Sequence, residues 1–248
     1  MLRPVEVLGV SPPSKEAGLR TFATLSAAVL AAVVLSVQEA PAQSTGDVPT
    51  VAVLDFTGFM LGEAGNSVAI GKAVSAMLVT EFSGREGMRV VERARLNDLL
   101  TEQRLALSGR VEESSAIEVG KLLGVQYVIY GQITSIADNL RLDIRATDVE
   151  TSEVVSVLKK NDKTEELLGV VVWIADEFSK KLNLMPPSGR PEVESIPVRA
   201  TIEFSRAVDF EDKGDTAKAI EHYQKALDEY PNHRDAQVAL ARLRGGDV

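Results

Sequence analysis

From Leu140 to Thr147 the chain alternates strictly, with Leu140, Leu142, Ile144 and Ala146 apolar and Arg141, Asp143, Arg145 and Thr147 polar. A period of two fits the pleat of a β-strand, whose successive side chains leave opposite faces, so this segment predicts a strand with one buried side. Residues 126–136 just before it are rich in Tyr, Ile and Val, and Asp138-Asn139 supplies a tight turn between the two runs. Glu153 to Lys160 follows a second turn around Glu150-Thr151-Ser152. A three-stranded antiparallel meander over 126–160 is the expectation.

Upstream the signals differ. Val51-Ala52-Val53-Leu54 is short and continuously apolar, the pattern of a strand buried on both faces, and predicts a strand over Thr50–Phe56. A glycine-containing loop, Thr57 to Gly65, leads to an amphipathic helix carrying Ile70, Val74, Met77, Leu78 and Phe82 and ending at Ser83-Gly84. Met88 to Val91 predicts a second short strand, and Leu96, Leu99 and Leu100 a second helix. Ser115 and Glu118 have the spacing of a capping box for a third helix, with Ile117 and Leu123, stopped at Gly124. After the meander, Thr164 caps a helix with Leu167, Val171, Ile174, Phe178 and Leu182 on one face. The order β-α-β-α-α-β-β-β-α predicts an α/β sandwich with a mixed sheet of about five strands.

The N-terminal region reads as an address. Charged residues 1–20 precede Thr21–Val37, seventeen residues without a charge, and Ala40-Pro41-Ala42 places small residues where a signal peptidase reads, so cleavage between Ala42 and Gln43 is expected. Residues 1–42 carry three basic and three acidic side chains, so the exported chain keeps the net charge of −9. That acidity argues against a nucleic-acid surface, which needs clustered Lys and Arg to replace phosphate counterions. The absence of any Cys removes disulfide, thiolate-metal and lipobox chemistry.

Pro186-Pro187-Ser188-Gly189-Arg190-Pro191 has the composition of a linker, giving an α/β domain over 43–185, a linker over 186–199 and a small all-α segment over 200–248. With Pro231 near the end of a 34-residue unit, Ala207, Phe210, Ala219, Tyr223 and Ala226 fall on the small and aromatic positions of the tetratricopeptide (TPR) pattern. Glu203 and Arg206 occupy its leading Trp and Leu positions. One such repeat and a following helix bury little alone, so the segment is expected to lean on the α/β domain or on another chain.

Candidates for chemistry are few. His222 and His233 both lie in the helical segment and are expected to face solvent. Gly65 to Lys72 looks like a phosphate loop, but five residues separate the glycines and Ala73 follows the Lys, so a loop entering a helix is the better reading. Asp55 is the one carboxylate at the end of a buried strand, where α/β folds often place their sites, yet it lacks an evident partner and reads as a loop organiser or polar cap. Arg141, Asp143 and Arg145 share one strand face, as a solvated surface or the rim of a protein contact. No catalytic, cofactor-binding or metal residue is assigned.

Val51-Ala52-Val53-Leu54-Asp55-Phe56, Met77-Leu78 with Phe82, Val90-Val91-Glu92-Arg93, Leu99-Leu100 and Glu102-Gln103 occur in the order seen in the curli assembly/transport component CsgG family. Gly120 to Gly131 and Arg145 to Val154 extend the resemblance over about residues 50–182. The resemblance implies an extracytoplasmic envelope protein. The family's best-known members are outer-membrane lipoproteins that assemble into a secretion channel, and related domains serve as periplasmic accessory proteins. With Gln43 where a lipobox would place Cys, no lipid anchor is expected. The resulting expectation is a periplasmic, non-enzymatic assembly/transport accessory protein that binds envelope proteins as an adaptor or oligomeric scaffold, with no cofactor and no nucleic-acid partner. Peripheral outer-membrane association and homo-oligomerisation stay open, and the alternative is a curli-type secretion channel or a subunit of one.

Overall fold

A computed structural model describes residues 48–61, 67–68, 70–103, 112–187 and 194–245; the expected leader and the expected cleavage between Ala42 and Gln43 lie outside the described residues. The fold is mixed α/β. Seven strands form one sheet: β1 (Thr50–Val53), β2 (Thr57–Leu61), β3 (Ser67–Val68), β4 (Arg89–Val90), β5 (Tyr127–Ile136), β6 (Asn139–Asp148) and β7 (Val154–Lys163). The helices are α1 (Gly71–Ser83), α2 (Arg93–Glu102), α3 (Glu113–Leu123), α4 (Leu167–Lys181), α5 (Val198–Asp212), α6 (Thr216–Glu229) and α7 (Arg234–Leu243).

The expected five strands correspond to five columns of this sheet. β1 and β2 run in line and both pair parallel with β5, while β4 flanks β1 and β3 flanks β2 on the opposite side. β5, β6 and β7 form the antiparallel meander, in which Tyr130, Arg145 and Val157 share one cross-strand row and Ile133, Leu142 and Lys160 another. Its first turn is centred on Ala137-Asp138, one residue earlier than the sequence suggested, with Ala137 in the left-handed region at φ 51°.

The segment read as a glycine loop is partly strand. Between the pairs Val53↔Ile129 and Thr57↔Gln132, Leu54, Asp55 and Phe56 oppose only Tyr130 and Gly131, so one extra residue bulges and the chain then resumes as β2. Gly58 makes this register possible: at φ 128° its backbone lies so close to β5 that a Cβ would sit 1.7 Å from the Ile133 carbonyl oxygen.

Because β1 is covered on both faces, its side chains divide between two cores. Val51 and Val53 point under α1 and α4 with Ile129, Ile133, Leu140, Leu142, Phe82 and Phe178. Ala52 and Leu54 point to the other side, against Leu96 of α2 and Ala116, Val119 and Leu123 of α3. The two caps read from sequence differ in place. Helix α3 starts at Glu113 with Glu112 as its N-cap, so Ser115 lies inside the first turn. Thr164 opens a short 3₁₀ turn and pairs its hydroxyl with Ser135 at 2.8 Å instead of capping α4.

Helices α5 and α7 pack on α1, and their Ala200, Phe204, Ala207, Ala236 and Leu240 belong to the core that includes Val74, Met77 and Phe82. The helical segment and the sheet therefore share one apolar interior, and each large side chain buried there contributes about 1.5–3 kcal/mol.

Candidate functional site

Asp55 sits in the bulge that ends β1, and the helix that follows is pressed against the same break: a Cβ on Gly71 would lie 1.7 Å from the Phe56 carbonyl oxygen. This close approach brings Lys72 and Ser75, on the first turn of α1, to the end of the strand. The Ser75 hydroxyl is 3.0 Å from Asp55 Oδ1, and Arg93 Nη1 donates to Asp55 at 2.7 Å and to Ser75 at 2.9 Å. From the opposite direction α5 supplies Asp212. Its Oδ2 accepts from Arg93 Nη2 at 2.7 Å and from Lys72 Nζ at 2.8 Å, and its Oδ1 accepts from Asn97 Nδ2 at 2.7 Å. Asp209, one turn earlier on α5, takes Lys72 at 3.0 Å.

Burial is uneven: the Asp212 and Arg93 side chains are 10% and 15% exposed, whereas Lys72 and Asp55 at the rim are 27% and 33% exposed. Burial opposes the charge on Arg93, but the Asp55 and Asp212 carboxylates outweigh it and hold the guanidinium above its ordinary pKa. Lys72 is raised in the same way by Asp212, Asp209 and Asp55 against the desolvation cost. Arg93 stands at the first position of α2, where the helix dipole disfavours a cation, and the two carboxylates offset that cost. Asp55, the strand-end carboxylate singled out in the sequence, is thus one corner of an ion cluster that joins the sheet to the helical segment.

The second candidate surface is the face of the meander turned away from α1 and α4. It presents Gln132, Arg141, Asp143, Arg145, Val157 and Lys159 around a shallow cleft floored by Gly131 and Ile144 and bordered by Tyr130. Arg141 Nε donates to Asp143 Oδ2 at 2.9 Å across exposed surface, and Arg145 reaches Glu113 of α3 only at 3.9 Å. Such exposed pairs contribute little to stability.

In the helical segment, Ala207, Ala219, Tyr223 and Ala226 are buried, Phe210 is half-buried and Pro231 lies exposed in the turn between α6 and α7. Tyr223 donates to Glu211 at 2.8 Å, and Arg242 of α7 holds the other oxygen of that carboxylate at 2.6 Å. Neither histidine faces solvent freely. His222 lies 2.6 Å from Glu203 and stacks on Phe210 with ring centroids 5.1 Å apart, while His233 is 1% exposed, packed 4.6 Å from the Phe204 ring. Aromatic neighbours bury His233 and partly cover His222, against the usual surface preference of histidine.

Sequence reading missed Lys72, Ser75, Arg93, Asn97, Asp209 and Asp212. Lys72/Ser75, Arg93/Asn97 and Asp209/Asp212 each have the spacing of one helix face, but nothing in the sequence says that three such faces meet. Among the described residues no cluster of His, Cys, Asp and Glu is placed to hold a metal ion, and no helix is long and apolar enough to cross a membrane.

Comparison with known proteins gives one family and several weak structural likenesses. No curated relative matches the chain. Among solved structures, the LpoB C-terminal domain from Salmonella enterica is similar at 17% identity over 47% of this chain and 83% of that one, with a TM-score of 0.39. Lipoprotein GNA1162 from Neisseria meningitidis is similar at 12% identity over 54% and 98%, TM-score 0.38. The PelC dodecamer from Paraburkholderia phytofirmans is similar at 12% identity over 54% and 87%, TM-score 0.34. The family match starts within the apolar run and ends in β6, so residues 142–182, which also carried the resemblance, lie beyond it. Residues 30–141 carry the sequence pattern of the Curli production assembly/transport component CsgG family.

Proposed function

We propose that this chain is an exported, non-enzymatic accessory protein of cell-envelope assembly or transport, acting in the periplasm as a protein-binding adaptor or scaffold. The family match and the leader-like N-terminal segment support export and an envelope setting. The observation that carries the non-enzymatic reading is the state of Asp55: the carboxylate placed where an α/β fold would put chemistry is committed to Arg93 and Ser75, and Asp212 closes the cluster from the other side. A binding role needs surface instead, and the outer face of the meander offers Arg141, Asp143, Val157 and Lys159 around a shallow cleft beyond Arg145, which reaches toward α3.

A secretion channel is the reading that the family description favours. The ten-residue strands β5, β6 and β7 have the length of a membrane strand. Against it, one face of β5 and β6 is taken up by the core beneath α1 and α4, through Ile133, Leu140, Leu142 and Ile144. Removing the helical segment would expose the apolar face of α1. The test is therefore fractionation and chemical cross-linking of the full-length chain in intact envelopes. The adaptor reading expects release with the soluble periplasm and discrete adducts with envelope proteins; a detergent-resistant ring in the membrane fraction would overturn it.

A further inference from the structure

The ion cluster contains a preformed carboxylate site. Without α5, the sheet side of the cluster holds two cations, Lys72 and Arg93, and one carboxylate, Asp55, leaving one positive charge unbalanced in a largely buried place. Three donors from two helices, Lys72 Nζ, Arg93 Nη2 and Asn97 Nδ2, converge on one point at 2.7–2.8 Å. They divide between the two oxygens of a planar group, with two donors on Oδ2 and one on Oδ1, which is the pattern a carboxylate satisfies. The Arg93 Nε–H, buried in the same place, has no partner.

We infer that Lys72, Arg93 and Asn97 form a carboxylate-binding site of the α/β layer, filled in this chain by its own Asp212. The helical segment is then a tethered occupant, and a small free carboxylate takes the place of the Asp212 side chain where that side chain is removed. This rests on the cluster alone and does not depend on the envelope reading. The distances explain why occupancy matters: without Asp212, Lys72 keeps Asp209 and Arg93 keeps Asp55, but Lys72 Nζ, Arg93 Nη2 and Asn97 Nδ2 lose the acceptor they share, so the site favours a carboxylate that can reach it.

The test empties the site in the full chain by Asp212→Ala and follows melting temperature during titration with sodium acetate, with sodium chloride at matched ionic strength as reference. Acetate is expected to raise the melting temperature of Asp212→Ala by about 3 °C at about ten times its dissociation constant and further with the logarithm of its concentration, and to leave the wild type unchanged. Adding Asn97→Ala should weaken the acetate response about tenfold, the loss of one charge-assisted hydrogen bond. Equal responses to acetate and chloride, or a response to inorganic phosphate without one to acetate, would overturn the carboxylate site. Where Asp212→Ala fails to fold in buffer, it is refolded from denaturant in sodium acetate or in sodium chloride at matched ionic strength: recovery in acetate alone is expected, and equal recovery in both would overturn the site.

Discussion

At the scale of single residues, the two titratable groups that open α7 pull stability in opposite directions with pH. Burial pushes His233 down to about 4 from an ordinary 6.5, and neither of its ring nitrogens has a hydrogen-bond partner. A histidine kept neutral by the fold contributes stability that is complete above pH 6.5 and is lost as pH falls toward 4, about 3 kcal/mol in all. Asp235 behaves in reverse. Burial, the larger cause, and nearby Glu81 push it up to about 6, while Thr80, Arg234 and its own backbone N–H oppose the shift. Its contribution is complete below the ordinary 3.8 and is lost as pH rises through 6, again by about 3 kcal/mol. Denaturant melts of His233→Leu should match the wild type within about 1 kcal/mol at pH 7.5 and exceed it by about 2 kcal/mol at pH 4.5. For Asp235→Asn the gain should lie above pH 6, with the two curves converging near pH 4. Neither behaviour was legible in the sequence, where both residues look like polar side chains of an exposed helix; what decides them is the approach of Phe204, Tyr230 and α1 from outside that helix.

At the scale of elements, periodicity and turn chemistry made most of the sheet readable. The meander follows from the alternation at 140–147, and β1 from its continuous apolar run, because a strand's surroundings are written into its own side chains. The continuation of β1 into β2 was not readable. Gly58 looks like a loop signal in isolation, yet it is glycine because β5 approaches its backbone, a fact held by a strand some seventy residues away. Gly71 has the same kind of constraint. Gly71→Ala should destabilise by at least about 3 kcal/mol in chemical unfolding, since the new methyl meets a main-chain oxygen that cannot rotate away. At the β5–β6 turn the sign reverses: Ala137 holds φ 51° at a cost of about 1 kcal/mol, so Ala137→Gly should raise stability by up to that amount in the same assay.

At the scale of the whole molecule, the helical segment and the α/β layer are joined by the apolar seam of α5 and α7 on α1 and by the Asp55–Arg93–Asp212 cluster. The need for a surface to lean on was legible from the brevity of the repeat-like segment; the cluster was not, since its members are spread over four elements from residue 55 to residue 212. The central claim is that Asp55 is a corner of this clamp and not a reaction centre. Asp55→Asn in the full chain, with unfolding free energy and envelope phenotype measured on the same variant, tests it most directly. The clamp predicts a loss of about 2 kcal/mol, the charge-assisted bond from Arg93, with function kept in proportion to the folded fraction. Unchanged stability together with abolished function would contradict it and make Asp55 a catalytic residue.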